Sequence, residues 1–139
     1  MKAWISSAAL LMMIAPAQST DLKPPVITPI ARTHTTVTGQ PIVVPANPDV
    51  VVSMATFPPG AKIVEHKHPY PHLVYVMDGV LTVTNTETGK TFEAKKGDFV
   101  AEMQDTWHYG ENRGAVPVKL FVIDEVPQGT KTNIVPRTK

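Results

Sequence analysis

The sequence predicts a single all-β domain, a sandwich or a barrel, and three observations predict it. The length of 139 residues fits one domain with one core. The 14 Pro and 8 Gly interrupt the chain too often for long helices. Short runs rich in β-branched residues alternate with turn residues, and no window of residues 18–139 shows a convincing helical period.

Composition and charge exclude several classes of function. The formal net charge is only +1, so the chain lacks the basic surface that nucleic-acid binding requires, and we expect no nucleic-acid partner. The chain has no Cys. Disulfide scaffolds, thiolate metal sites and thiol nucleophiles are therefore excluded.

The first 17 residues have the pattern of a secretory signal peptide. Met1 and Lys2 precede an uncharged stretch that ends in Ala15-Pro16-Ala17. A bilayer crossing needs about 20 apolar residues, so this stretch is short for a membrane anchor, which is the alternative. We expect cleavage after Ala17, or else after Ser19. The expected product is a protein of the bacterial periplasm with no membrane attachment after cleavage.

The rest of the chain divides into three predicted parts. Residues 18–41 form a Pro/Thr-rich extended arm, residues 42–126 form the β-barrel, and residues 127–139 form a C-terminal tail. Turns are predicted at Asp78-Gly79 and in the stretch from Asn85 to Gly89. The predicted strands are Ile42–Val44, Val50–Phe57, Leu73–Met77, Val80–Thr84, Thr91–Ala94, Asp98–Met103 and Val118–Ile123.

Two of these strands carry apolar residues on both faces. Leu73–Met77 and Leu120–Ile123 are apolar at every position, whereas a half-buried strand alternates apolar with polar residues. One face can fill the interior of the barrel, and the other face needs a separate cover. A homodimer would supply that cover, and the Pro-rich arm of the same chain would supply it equally well.

Four of the five His residues are placed where they could meet, and this is the strongest chemical signal in the sequence. His66 and His68 are two residues apart, so on a strand both imidazoles project from the same face. His72 keeps the even register, although Pro69 and Pro71 lie between. His108 follows two more predicted strands, and an antiparallel meander could bring it back beside the other three. His34 lies in a polar run and is expected to be solvated.

These residues resemble the two motifs of the cupin superfamily. Gly60, His66, His68, His72 and Gly79 follow the spacing of the first motif, with His72 in the position of the usual acidic ligand. Gly97, His108 and Asn112 follow the second motif, in which Met103 and Asp105 replace the usual Pro and Gly. The resemblance implies a cupin double-stranded β-helix, a jelly-roll barrel. It also implies one metal ion, held by His66, His68, His72 and His108 as in small bacterial cupins of the four-histidine type.

His72 in place of Glu narrows the chemistry of such a site. Four neutral imidazoles would leave a divalent ion its full charge, and four nitrogen donors favour a transition metal over Ca or Mg. Within the resemblance, Mn and Fe are preferred, and Cu, Ni and Zn are the alternatives. Four ligands of an octahedral ion leave two open positions, which O2 and a small-molecule substrate could occupy together.

Other groups around the histidines are less informative. Tyr70, Met103 and Trp107 lie next to ligand positions and could shape a substrate pocket, although such side chains more often pack in a core. Glu65 and Lys67 should point away from His66 by the alternation of a strand. No catalytic side chain is evident, because the sequence shows no nucleophile triad, no phosphate-binding loop and no paired inward carboxylates.

Three functional hypotheses follow, and all depend on the metal. The leading hypothesis is an O2-dependent, dioxygenase-like oxidoreductase that acts on a small organic substrate. The second is a non-redox isomerase, cyclase or lyase in which Zn or Ni polarises a carbonyl group. The third is a metal-binding or ligand-binding cupin without enzymatic activity.

Overall fold

Nine strands and no helix make up the regular structure of residues 22–138, which are the residues that our computed structural model describes. The predicted signal peptide, residues 1–17, lies outside the described residues. The strands are β1 (Asp49–Phe57), β2 (His66–Lys67), β3 (His72–Asp78), β4 (Val80–Asn85), β5 (Thr91–Lys95), β6 (Phe99–Ala101), β7 (His108–Glu111), β8 (Val118–Val126) and β9 (Val135–Pro136).

The strands form two antiparallel sheets, and this confirms the predicted all-β, single-domain fold. One sheet has the order β1-β8-β3-β6, and the other has the order β5-β4-β7-β2-β9. The longest pairing joins β1 and β8 from Asp49↔Val126 to Phe57↔Val118. Strands β8 and β3 are therefore the two central strands of their sheet.

The hydrophobic core lies between the two sheets. Alternation along β8 directs Val118, Leu120 and Val122 inward, where all three are buried. They pack with side chains from strands of both sheets and from the loop after β6: Val74, Val76, Leu81, Val83, Ala94, Val100 and Met103. This cluster fills one part of the barrel and leaves another part to the histidines.

The turn between β3 and β4 depends on Gly79. Its φ of +76° is a conformation that side chains rarely adopt. A Cβ at this position would also lie 2.8 Å from the carbonyl oxygen of Pro117 and 3.0 Å from the Cα of Val118. Only glycine therefore allows the β3–β4 turn to pack against the start of β8.

The predicted strand at residues 42–44 is wrong. These residues form no strand, because Pro41 and Pro45 on either side cannot donate the hydrogen bonds of a ladder. The Ile42 amide instead donates to the carbonyl oxygen of His34. The other six predicted strands correspond to β1, β3, β4, β5, β6 and β8, with differences of a few residues at their ends.

The outer face of the β1-β8-β3-β6 sheet is apolar and partly exposed. Val50, Val52 and Met54 of β1 alternate outward, and each exposes more than half of its surface. Towards the other edge, Tyr75 and Phe99 border a groove together with residues 28, 30 and 31 of the arm. The arm therefore lies along the β3 and β6 side of this face and leaves the outward side chains of β1 exposed.

Candidate metal centre

Strand pairing brings the four histidines together at one end of the barrel. His66 of β2 is the direct antiparallel partner of His108 of β7, and their ring centroids lie 4.6 Å apart. His68 follows β2 and stacks on His72 at the start of β3, with ring centroids 3.8 Å apart. His66, His68 and His108 are each at most 4% exposed. His34, by contrast, is exposed and lies outside the cluster.

Each imidazole is oriented by a hydrogen bond at its Nδ1 atom. In three of them the partner is a backbone carbonyl oxygen: Val64 for His66 at 2.7 Å, Asn133 for His68 at 2.8 Å, and Thr106 for His108 at 2.7 Å. A carbonyl oxygen only accepts, so Nδ1 carries the hydrogen. In a neutral ring this leaves the lone pair on Nε2, which is the state that a metal ligand needs.

The Nδ1 atom of His72 is held by a carboxylate instead. It lies 2.6 Å from Oδ1 of Asp124, the cross-strand partner of His72 in the β3–β8 pairing. Burial by itself would raise the pKa of Asp124, but the hydrogen bond from His72 keeps it low. Asp124 therefore provides His72 with the carboxylate support that is common for metal-bound histidines.

The C-terminal segment completes this support through Asn133, which sequence reasoning did not single out. Besides the backbone bond to His68, the buried Asn133 donates from its amide to Oδ1 of Asp124 at 2.7 Å and to the carbonyl oxygen of Tyr70 at 3.1 Å. Strand β9, which follows, pairs with β2. The segment predicted as a tail thus lies against the histidines and fixes two of them.

Glu102 is a further member of the cluster that sequence reasoning missed. It follows β6, is 6% exposed, and places Oε2 at 3.1 Å from Nε2 of His108 and 3.4 Å from Nε2 of His68. Together with Asp124 it corrects the expectation that no inward carboxylates are paired here. Alternation gave no clear signal for it, because Val100, Ala101 and Met103 are buried as well.

Burial and hydrogen bonding have opposite effects on the protonation of the cluster. Burial lowers the pKa of His66 to about 4 and also lowers that of His68. Burial would lower the pKa of His72 and His108 too, but hydrogen bonds to Asp124 and Glu102, respectively, raise both overall. Burial would raise the pKa of Glu102, but hydrogen bonds from His108 and His68 hold it well below its usual range. The cluster therefore contains an ionised carboxylate that favours a cation beside it.

A cavity of about 190 Å³ opens onto the four histidines. Its other walls are mostly apolar, with the two carboxylates among them: Ser53, Ala55, Phe57, Ile63, Leu81, Glu102, Gly110, Leu120, Val122, Asp124 and Ile134. A small organic molecule could enter this space and reach the imidazoles.

The residues predicted to shape a substrate pocket do not line this cavity. Met103 is fully buried in the hydrophobic core. Trp107 lies beneath the cations of Lys67 and Arg137, 5.4 and 5.2 Å from its ring centroid. Tyr70 contacts Asn133 through its backbone. Trp107 is adjacent to His108, and adjacent residues on extended chain point to opposite sides.

The donor set fits a metal ion. Two ligand atoms at right angles around an ion with bonds of about 2.1 Å lie about 3 Å apart. Nε2 of His66 and Nε2 of His68 lie 3.2 Å apart, and His66, His68 and His108 offer ligand atoms within 4.8 Å of one another, as do His68, His72 and Glu102. The cluster could therefore hold a metal ion without large rearrangement.

Comparison with protein families agrees with the motifs. A family model described as a cupin domain matches residues 53–124, which is more than half of the chain. The chain belongs to the cupin family. The match contains the whole cluster of cupin motif histidines together with Glu102 and Asp124, but not Asn133.

Solved structures show the same fold in other cupin-like proteins. An uncharacterised conserved protein with a double-stranded β-helix domain from Klebsiella pneumoniae has a TM-score of 0.53 and 18% identity, over 82% of this chain and 100% of that chain. A cupin superfamily protein from Desulfitobacterium hafniense has a TM-score of 0.50 and 15% identity, over 61% of this chain and 73% of the other. At such identities the likeness establishes the cupin double-stranded β-helix alone.

Two further findings concern curated relatives and membrane-spanning helices. No curated protein matches it significantly in sequence. Within residues 22–138, no helix has the length and apolar character needed to cross a membrane.

Proposed function

We propose that this cupin is of the four-histidine type and binds one divalent transition metal ion through His66, His68, His72 and His108. The observation that carries the proposal is that all four rings have Nδ1 engaged by a backbone carbonyl or a carboxylate, which in a neutral ring leaves the lone pair on Nε2. Nitrogen donors favour a transition metal, with Mn or Fe ahead of Cu, Ni and Zn.

We further propose that the protein is an O2-dependent, dioxygenase-like oxidoreductase that acts on a small organic substrate. The metal, when bound, would supply a redox centre and the coordination positions for this chemistry, and the substrate would supply the electrons that reduce O2. The apolar walls formed by Phe57, Ile63 and Leu120 would bind the carbon skeleton of the substrate and exclude water. Glu102 and Asp124 place carboxylate groups on the wall of the same cavity, where they could accept a hydrogen bond from a substrate hydroxyl group.

A non-redox isomerase, cyclase or lyase is the second candidate. The observation that favours it is the pair of carboxylates, Glu102 and Asp124, on the wall of the same cavity as the histidines. A carboxylate beside a carbonyl polarised by Zn or Ni is a suitable base for removing a proton from carbon. Such a reaction needs no oxidant, and this separates the two candidates experimentally.

We also propose that the protein is secreted and forms a homodimer. The pattern of residues 1–17 supports export to the periplasm. The exposed apolar side chains of β1 support a homodimer, since they lie on a sheet face that residues 22–138 of one chain cover only in part.

The test of the function is metal analysis of protein exported by its own leader and purified without added metal or chelator. We expect near-stoichiometric Mn or Fe, with an electron paramagnetic resonance signal that changes when O2 or a chelating diketone or catechol is added. His66→Ala should lose the metal, while the control His34→Ala should retain it. Stoichiometric Zn with anaerobic turnover would instead support the non-redox reaction. No metal in the wild-type protein, even after loading, would contradict both candidates.

A further inference from the structure

We propose that Glu102 is a fifth protein ligand of the metal, so that the site offers four nitrogens and one carboxylate oxygen. The inference rests on the proposed binding of a metal by the four histidines, and it deepens that proposal. It also changes what the site can bind, because five protein ligands of an octahedral ion leave one position rather than two.

The first argument is geometric. Oε2 of Glu102 lies 3.1 Å from Nε2 of His108 and 3.4 Å from Nε2 of His68. The two histidine nitrogens of His66 and His68 lie 3.2 Å apart. All three separations are close to the value of about 3 Å between neighbouring ligands of one ion. The carboxylate oxygen therefore occupies the same kind of position as the imidazole nitrogens.

The second argument concerns hydrogen atoms. Because the Nδ1 atoms of His68 and His108 donate to backbone carbonyls, their Nε2 atoms carry lone pairs in the neutral rings. A carboxylate oxygen at hydrogen-bond distance from two lone pairs is repelled unless a proton or a metal ion lies between. A metal ion at the centre of these three atoms would take the place of the protons through which His68 and His108 otherwise bond Glu102.

The third argument concerns the charge of a buried carboxylate. Glu102 is 6% exposed, and a buried carboxylate is costly unless a positive charge is close. Within residues 22–138, the only basic side chains within salt-bridge distance of Glu102 are His68 and His108. A divalent ion among the Nε2 atoms would compensate this charge without protonating the two ligands.

Glu102 then provides the carboxylate ligand that the first cupin motif usually has at the position of His72. A divalent ion with four neutral imidazoles and one carboxylate keeps a charge of +1, as it would with three histidines and one glutamate. The remaining position accepts a single donor atom from a small molecule. Binding of O2 and substrate together, or of a chelating substrate, would require Glu102 to leave the ion.

The experiment compares the Mn(II)-loaded wild-type protein with Glu102→Gln and with the control Glu93→Gln. Glu93 is exposed on β5, so the control removes an equal charge away from the cluster. We expect Glu102→Gln to weaken Mn(II) binding at least tenfold in competition with a chelator, because a neutral amide is a poor replacement for an anionic ligand. Glu93→Gln should bind as the wild type does.

Water-proton relaxation on the same samples counts the exchangeable water molecules on Mn(II). We expect one in the wild type and two in Glu102→Gln. Two waters in the wild type would overturn the proposal, whatever the variant does. Equal affinity and equal water number in wild type and Glu102→Gln would also overturn it, while the four-histidine centre would stand. A wild-type protein that binds no Mn(II) more tightly than His66→Ala would instead overturn the proposed function itself.

Discussion

Asp124 shows how a single side chain can orient a histidine of the candidate site. Its Oδ1 accepts hydrogen bonds from Nδ1 of His72 at 2.6 Å and from the amide of Asn133 at 2.7 Å. The first bond sets the ring plane of His72, which stacks nearly parallel on His68. An anionic partner also makes the opposite ring nitrogen a stronger donor to a metal.

We therefore expect Asp124→Asn to lower the affinity for the metal by about 10- to 100-fold, the usual effect of losing such a partner. The neutral amide can still accept a hydrogen bond, but it no longer supplies the negative charge. Titration with Mn(II) against a chelator measures the effect. Asp49→Asn is the control, because Asp49 is exposed and accepts from the Gly129 amide. Equal affinities for wild type and Asp124→Asn would show that Asp124 has no part in binding.

The sequence predicted the grouping of the histidines better than it predicted the side chains that surround them. Two residues of separation on one strand were sufficient to bring His66 and His68 together. Glu102, Asp124 and Asn133 come from three other segments, and their approach depends on tertiary packing that local alternation alone does not specify.

Among the elements, the longest strands were the easiest to predict. Strands β1, β3, β4 and β8 are at least six residues long and carry the runs of apolar residues that identify a strand. Strands β2 and β9 have two residues each, too few for any periodicity. The pairing His66↔His108 is set by the β7 neighbour of β2 in the sheet, and a sequence pattern does not contain that register.

The β3–β4 turn gives a prediction for stability. Gly79→Ala should lower the free energy of unfolding by about 2–4 kcal/mol, since it adds a strained positive φ and a clash with Pro117. Gly97→Ala is the control: its φ of +93° is also positive, but its Cβ would meet nothing within 4 Å. We expect the control to lose only about 1 kcal/mol in urea denaturation. Equal losses in both variants would remove the clash from the explanation.

The outer face of the β1-β8-β3-β6 sheet is an apolar surface that residues 22–138 of one chain leave partly exposed. Val50, Val52 and Met54 lie on the outer face of β1, beside the outward side chain of Phe121 on β8. Large exposed apolar patches commonly mark sites of association. The Pro-rich arm reaches the β3 and β6 side of this sheet and not the outward side chains of β1.

We expect the chain from residue 18 onward to sediment as a dimer at micromolar concentration. Met54→Lys should shift it to a monomer, because a charge would be buried in the apolar contact. Its metal content should not change, since Met54 points away from the cavity. Val116→Lys is the matched control, as Val116 is 58% exposed but lies in the loop before β8. A monomeric wild type would contradict the dimer.

The two-residue strand β9 bears on how fast a bound metal ion would exchange with the solvent. It is exposed, it pairs only with β2, and the segment before it holds His68 through Asn133. Short, exposed edge strands open far more often than the core unfolds. Exchange of a bound ion with the solvent would then follow the local opening of β9 rather than global unfolding. The lifetime of the loaded state would be set at β9, outside the segment that carries the histidines.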